Sequence, residues 1–308
     1  MPDVFTVEFF QFWQIHRILR NERLFLNAGL QKNAIHINYE ITAEIDKNQA
    51  GGENNREEAM GLNEGELQEM FRRLGIRAGD LVTAHSSFKR IGPVDGGPGT
   101  VLKALLQTVG PTGTVILPSF TFSLAAINDP LWIYEETPSC VGILSELFRQ
   151  QYGEYRSIHF THSFSARGPL SRELTAHPLE MTPCGWESPL GKFLRRNGKI
   201  LMIGVSLNTC TAIHVIEEHC RVPYVEFVPR PDARYQKEGV IRPLPSFGVK
   251  PFTYDFERLR QPLINGRALN SGKLGTAETL LIDGGGLLEI GDRLLRRNPV
   301  LLHAEPSD

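Results

Sequence analysis

The sequence predicts an α/β protein, a three-layer α/β/α architecture around a central, mostly parallel or mixed sheet. Short apolar runs of strand length alternate with amphipathic runs of helical period after residue 60. The segments joining them carry glycine, proline, asparagine or serine where strand gives way to helix. With 41% hydrophobic residues in 308, the chain can bury a sizeable core.

Taken in order, NEGELQEMFRRL (63–74) places Leu67, Met70, Phe71 and Leu74 on one helical face behind Asn63, a favourable N-cap. DLVTA (80–84) reads as a short buried strand running into HSSFKRIGPVDGGPGT, a glycine-rich loop that opens the helix TVLKALLQTVG, ended by Gly110. TVILP (114–118) is the next strand. It is followed by an irregular stretch over 119–137 and by the helix VGILSELFRQQY, introduced by Pro138-Ser139. ILMIGV (200–205) is a strand after the Asn197-Gly198 turn, and SLNTC leads from it into the helix TAIHVIEEHC.

Residues 1–60 behave differently. Asp3, Glu8, Arg17, Arg20 and Arg23 interrupt their aromatic opening before any apolar run reaches membrane-spanning length. Neither a signal peptide nor a membrane helix is expected, and the reading is a cytoplasmic protein with no membrane partner. The polar, aperiodic DKNQAGGENNREEAM marks 1–60 as an N-terminal extension, a linker or poorly ordered, outside a body of 61–308. The extension carries −3 and the body +1, so no basic excess points to nucleic acid. Cys140, Cys184, Cys210 and Cys220 lack CxxC spacing, which argues against a disulfide framework or a zinc ribbon. Buried thiols in a reducing compartment are expected.

Three constellations can carry chemistry. His85-Ser86-Ser87 ends an apolar strand and is followed by Gly92, Gly96, Gly97 and Gly99, a loop suited to an anion or a carbonyl. Its spacing fits neither GxGxxG nor GxxxxGK[ST], and an ordinary strand-to-helix turn is an equal reading. In TAIHVIEEHC, Glu217 and Glu218 both lie within about 60° of His214 around the helix, so either can orient the imidazole. The HxxEH zinc pattern fails because Glu218 stands where its second histidine belongs. A partly buried, hydrogen-bonded histidine is the plainer alternative. In RSIHFTHSFSARGP, Arg156 and Ser157 suit a phosphate, and His159 with His162 suits proton transfer or a metal.

Together these segments resemble the aminoglycoside 3-N-acetyltransferase family, acyltransferases distinct from the GNAT fold. The resemblance runs through HSSFKRIGPVDGGPGTVLKALL, LPSF, NDP, TPSCVGILSELFR, RSIHFTHSFSARGP, TPCGWESPLGKFL and GKILMIGVSLNTCTAIHVIEE, and more weakly through YDFERLRQPLI and LGTAETLLIDGGGLLE. It spans about residues 62–290 and has no counterpart for 1–60. It implies an antibiotic N-acetyltransferase fold and acetyl-CoA as cosubstrate. The implied acceptor is an amine on a sugar or cyclitol ring, the 3-amino group of a 2-deoxystreptamine ring in an aminoglycoside. Antibiotic resistance follows, by direct transfer in a monomer or homodimer with no metal.

Carried over by position, His214 and Glu217 match the family's HxxE, with His214 as general base. His85, Ser86, Ser87, Gly92, Val94, Gly96 and Gly97 match the segment lining the pantetheine end of the coenzyme, with backbone N–H groups around Ser86 and Ser87 available to an oxyanion. Arg156, Ser157 and His159 match an Arg-Ser followed by His-Pro, here His159-Phe160, and imply a contact to a coenzyme phosphate. Loss of that proline changes the local backbone constraint. Asp95 and Asp129, with Glu135, Glu136 and Glu217, are the carboxylates expected to meet a cationic acceptor. Two rivals stay open: acetylation of another amino sugar, and a metal-dependent amidase using His159, His162 and His214.

Overall fold

The computed structural model describes residues 61–304, and the expected extension lies outside the described residues. The body begins with helix α1 (Glu64–Leu74), where Asn63 Oδ1 accepts from Glu66 N–H and Glu66 reaches back to Asn63 N–H, a complete capping box. Strand β1 (Leu81–Ser86), helix α2 (Pro98–Val109) and strand β2 (Thr114–Pro118) follow as expected. The stretch read as irregular contains a 3-10 turn (Phe122–Ala126) and a short strand β3 (Leu131–Ile133). Helix α3 (Ile143–Gln151) then leads to β4 (Tyr155–Arg156) and β5 (Phe164–Arg167), and these to helices α4 (Ser171–Thr175) and α5 (Pro189–Arg195). Strand β6 (Lys199–Ile203) and helix α6 (Ala212–Cys220) complete the portion whose elements the sequence outlines.

Beyond α6 come four short strands, β7 (Phe227–Arg230), β8 (Arg234–Lys237), β9 (Val240–Pro243) and β10 (Ser246–Val249). Helix α7 (Arg260–Asn265), the hairpin of β11 (Leu269–Leu274) and β12 (Ala277–Asp283), and helix α8 (Gly284–Arg297) close the body. The described residues build a seven-stranded sheet in the order β11-β12-β6-β1-β2-β5-β4. It is mixed: β1 is parallel to β2 and β6, and the flanking pairings are antiparallel. Two small sheets stand apart, a β7–β10 ribbon and a β3-β8-β9 sheet.

Alternation along the central strands makes three layers. Val82 and Ala84 of β1, Leu201 and Ile203 of β6 and Leu281 of β12 pack with α1, α2 and α3. Leu81, Ile200, Met202, Leu280 and Ile282, one residue out of phase, pack with α5, α6 and α8. A third cluster of Trp132, Phe160, Ala233, Tyr235 and Leu244 ties the small sheet to the segment before β5. Because β1, β2 and β6 are parallel, their carboxyl ends share one edge of the sheet, where ligands of such sheets bind. There Gly204 turns the chain out of β6 with φ of 65°, and a Cβ on it would meet Arg90 Cβ at 2.9 Å.

Among the described residues no helix is long and apolar enough to cross a membrane. Cys184 and Cys210 are buried as expected, whereas Cys140 is exposed beside the start of α3, which corrects the reading of all four as interior thiols. Gly191 lies in the first turn of α5 under the Trp186 carbonyl, which a Cβ would overlap. Gly191→Ala is therefore expected to cost about 1–3 kcal/mol of stability, measured as a lower urea midpoint with an unchanged slope.

Candidate active site

Helix α6 starts immediately beyond the carboxyl end of β6, after a 3-10 turn at Leu207–Thr209. This turn is fastened from the C-terminal part of the chain. Asn208 Oδ1 accepts from Phe256 N–H at 2.7 Å, and Glu257 Oε1 accepts from Leu207 N–H at 2.9 Å. These bonds bring the alternating aromatics of FTYDF against His214. Phe252, Tyr254 and Phe256 stand near edge-on to its imidazole, with ring centroids 5.9, 5.3 and 5.0 Å away. The imidazole is partly open to a cavity of about 210 Å³ whose wall includes His162, Cys184, Glu217, Glu218, Lys250, Phe252 and Tyr254.

Of the two carboxylates that helical spacing offers His214, the structure selects Glu217. Its Oε2 lies 2.5 Å from His214 Nδ1, and its Oε1 accepts from the Tyr224 hydroxyl at 2.6 Å. Glu217 is 0% exposed, so both oxygens are satisfied inside the protein. Burial, followed by the Glu217 charge, pushes the Tyr224 hydroxyl up, which keeps it the donor. In the tautomer that donates Nδ1–H to Glu217, Nε2 of His214 is the acceptor. Glu218 turns elsewhere, accepting from Thr182 Oγ1 at 2.5 Å and Cys184 N–H at 3.0 Å. Burial pushes its carboxyl up to about 7. His219, off this face, stacks on Trp186 at 4.2 Å.

The structure corrects several expectations. Arg156 is buried, and its guanidinium donates to the carbonyls of Tyr134 (3.0 Å), Thr137 (2.8 Å) and Ser119 (3.2 Å) and to Ser163 Oγ (3.2 Å). It also covers the Trp132 ring at 4.6 Å. These bonds commit the guanidinium, expected at a coenzyme phosphate, to the fold: it clamps the 119–137 excursion onto β4 and β5. Ser157 Oγ is equally committed, accepting from Phe164 N–H at 2.8 Å. His159 is buried, with Nδ1 accepting from the N–H groups of Thr161 (3.2 Å) and His162 (3.0 Å) and Nε2 placed 3.2 Å from Ser246 Oγ. It therefore pins β10 to the 157–163 segment, and the amidase rival loses one of its three ligands.

Neither Asp129 nor Asp95, the carboxylates expected to meet the acceptor, is in the wall of this cavity. Asp129 forms a bidentate pair with Arg234, at 2.9 and 2.7 Å, on the outside of the small sheet. Asp95 is exposed and its N–H bonds Leu62 O at 3.1 Å, next to the bridge between Val94 and Leu62. Gly92, ahead of that bridge, and Gly96 and Gly97, between it and α2, are all at positive φ. His85, Ser86 and Ser87 do end β1 beside β6, but none of them lines the cavity among the described residues. The Ser87 N–H is taken by Ile203 O at 2.9 Å, which removes it as an oxyanion donor. His85 Nε2 is sealed from solvent without a partner, and burial lowers its pKa to about 4. Residues that sequence reasoning missed are Tyr224, Lys250, Phe252 and Tyr254; the period-two aromatics of 252–256 are a visible signal, Tyr224 and Lys250 have none.

Fold and cavity define a class: a three-layer α/β protein holding a carboxylate-oriented imidazole in an aromatic-walled cavity near the carboxyl end of its parallel strands. The particular family follows from comparison. The sequence profile of aminoglycoside 3-N-acetyltransferases matches residues 83–296, and the chain belongs to that family. It is similar to aminoglycoside N(3)-acetyltransferase III of Salmonella, 36% identical over 179 residues, 53% of this chain and 62% of the relative. The chain thus matches less than two thirds of that relative's length. A structure of AAC-VIa bound to sisomicin is similar with a TM-score of 0.67 and 27% identity, covering 80% of this chain and all (100%) of the other. The complex of AAC-IIIb with CoASH superposes with a TM-score of 0.70 at 23% identity, over 81% and 100%, a likeness of fold.

Two predictions follow from these side chains. Arg156→Met takes the guanidinium from the carbonyls of Tyr134 and Thr137 and leaves Ser119 O with Ser163 Oγ as its other donor; it is expected to lower stability on the order of 3 kcal/mol, read from the urea midpoint. Separately, burial is the main cause that lowers the pKa of His85, His159, His162 and His177 below 6.5. The unfolded chain takes up protons at these sites where the folded chain does not, so stability falls as pH drops through 6.5. Each histidine contributes about 1.4 kcal/mol per pH unit below that point, and Glu218, raised to about 7, opposes them with one group. The melting temperature should be several degrees lower at about pH 5.5 than at about pH 7.5; a flat profile would contradict the burial of neutral imidazoles.

Proposed function

We propose that the chain is an acetyl-CoA-dependent N-acetyltransferase that acetylates an amino group of an aminoglycoside, the 3-amino group of its 2-deoxystreptamine ring, by direct transfer. The observation that carries this reading is the chain of hydrogen bonds from Tyr224 to Glu217 to His214, ending in an imidazole nitrogen beside the cavity. Family membership and the sisomicin bound by the similar AAC-VIa support it.

Acetyl-CoA supplies a thioester that a neutral amine can attack. At neutral pH most alkyl amines are ammonium ions and are not nucleophilic, so a proton must leave as the bond forms. In this reading Nε2 of His214 takes that proton, and collapse of the tetrahedral intermediate breaks the C–S bond, the proton passing to the departing CoA thiolate. Glu217 fixes the tautomer and stabilises the imidazolium, and Tyr224 holds the second oxygen of Glu217 so that the carboxylate cannot rotate away. The wall of Phe252 and Tyr254 suits the apolar face of a ring and the edge of an ammonium group. His162, whose pKa burial and the nearby His214 lower to about 3, stays neutral and adds no repulsion to a protonated His214. The coenzyme belongs along the segment from His85 to Gly97, at the shared strand edge and the start of α2, as the family resemblance implies.

The test is thiol release from acetyl-CoA over a panel of aminoglycosides and amino sugars. His214→Gln is expected to lower kcat by about 10²–10⁴-fold. Near-normal turnover in that variant removes His214 from the reaction. Turnover confined to simple amino sugars would favour the alternative acceptor class.

A further inference from the structure

Glu218 is the one carboxyl in the cavity wall whose role neither His214 nor an ion pair explains. It follows His214 by four residues on α6, about 40° around the helix, and lines the same cavity as His214 and Glu217. Its two oxygens accept from neutral donors only, Thr182 Oγ1 at 2.5 Å and Cys184 N–H at 3.0 Å. The nearby basic side chain is spoken for: Lys250, also in the wall, pairs with Glu226. Among the described residues Glu218 enters no salt bridge, unlike Glu217, which is held against His214. A largely buried carboxyl in no ion pair, with only the charge of His214 nearby to favour its ionised form, at the rim of a ligand-sized cavity, is a place where a cation gains from docking.

Resting on the reading of this cavity as the acceptor site, we propose that Glu218 is an acceptor-binding residue. Its carboxylate receives an ammonium group of a polycationic amine other than the one being acetylated. This assigns the two adjacent carboxylates separate tasks: Glu217 orients the base, and Glu218 selects acceptors that carry more than one positive charge.

Burial sharpens the consequence. With its carboxyl raised to about 7, Glu218 carries a proton for much of the time near pH 6, and a docking cation must expel it. The titratable and charged groups around it are His214 and Glu217 on its own helix, Cys184 on the 182–184 segment, His162, and Lys250 with Glu226. Burial holds Cys184 as the thiol and His162 as the neutral imidazole, so neither supplies a competing proton near pH 6.

The alternative is a purely structural clip, in which Glu218 fastens the 182–184 segment to α6. Glu218→Gln separates the two, because the amide keeps an oxygen for the Cys184 N–H but carries no charge. The probe is sisomicin titrated calorimetrically into the full-length protein without acetyl-CoA, at about pH 6, in two buffers of different ionisation enthalpy. We expect Glu218→Gln to weaken binding by about 10–100-fold and to abolish most of the buffer dependence of the enthalpy. Thr182→Val, which removes one clip bond and keeps the charge, should bind within about threefold of wild type. Equal affinity of wild type and Glu218→Gln for sisomicin overturns the proposal. So does equal weakening by Thr182→Val and Glu218→Gln, which would mark a clip. Wild-type protein that binds sisomicin in this way but releases no thiol from acetyl-CoA would sink the acetyltransferase reading and leave the Glu218 assignment standing.

Discussion

The arrangement around the cavity depends on one constraint, the complete burial of the Glu217 carboxyl. A carboxylate removed from water is costly unless each oxygen regains a strong partner. Here one oxygen meets His214 Nδ1 at 2.5 Å and the other the Tyr224 hydroxyl at 2.6 Å. That requirement fixes three things together. The last turns of α6 must lie where Tyr224 can return to them, which the left-handed Arg221 (φ of 52°) permits by ending the helix sharply. The imidazole must take the tautomer that leaves Nε2 free. The C-terminal aromatic segment must then cover the site, which the Asn208 and Glu257 bonds to residues 256 and 207 secure.

A second buried ion settles the outer wall. Arg156 spends its guanidinium on three carbonyls from chain segments between 119 and 137. These segments wander away from the sheet and come back as α3, and without regular structure their carbonyls need donors from elsewhere. The fork of the guanidinium can serve several at once, and its stacking on Trp132 joins it to the third core cluster. Phe120 and Phe122, carried by the same excursion, flank His162 at 4.8 and 5.1 Å, so the clamp acts on the cavity wall through them.

The sequence was readable where local rules decide structure. Asn63 as N-cap, Gly110 as helix end, the apolar runs at 114–118 and 200–203, and the dyad spacing of His214 and Glu217 follow from period and turn chemistry. It was unreadable where partners are distant. Strand β3 exists because it pairs with β8 a hundred residues on, and no pattern within Leu131–Ile133 announces that. Arg156 and Ser157 look like a phosphate site as a dipeptide, because what occupies their donors and acceptors comes from elsewhere in the chain. Asp129 similarly reads as a free carboxylate until Arg234 is brought to it by that same pairing. Polar residues advertise their chemistry in sequence but not whether it is already satisfied.

This distinction also explains why the helix TAIHVIEEHC divides its acidic pair as it does. Positions three and four after His214 are nearly equivalent by helical geometry alone. What separates them is the environment each meets. Glu217 faces the interior, where Tyr224 is the available second donor, whereas Glu218 faces the segment at 182–184, whose hydroxyl and N–H offer two bonds but no charge. The first carboxyl is thereby locked to the imidazole. The second is held in place by bonds to neutral donors, so the carboxyl of the cavity wall that is in no ion pair is Glu218, one residue from the dyad and outside it.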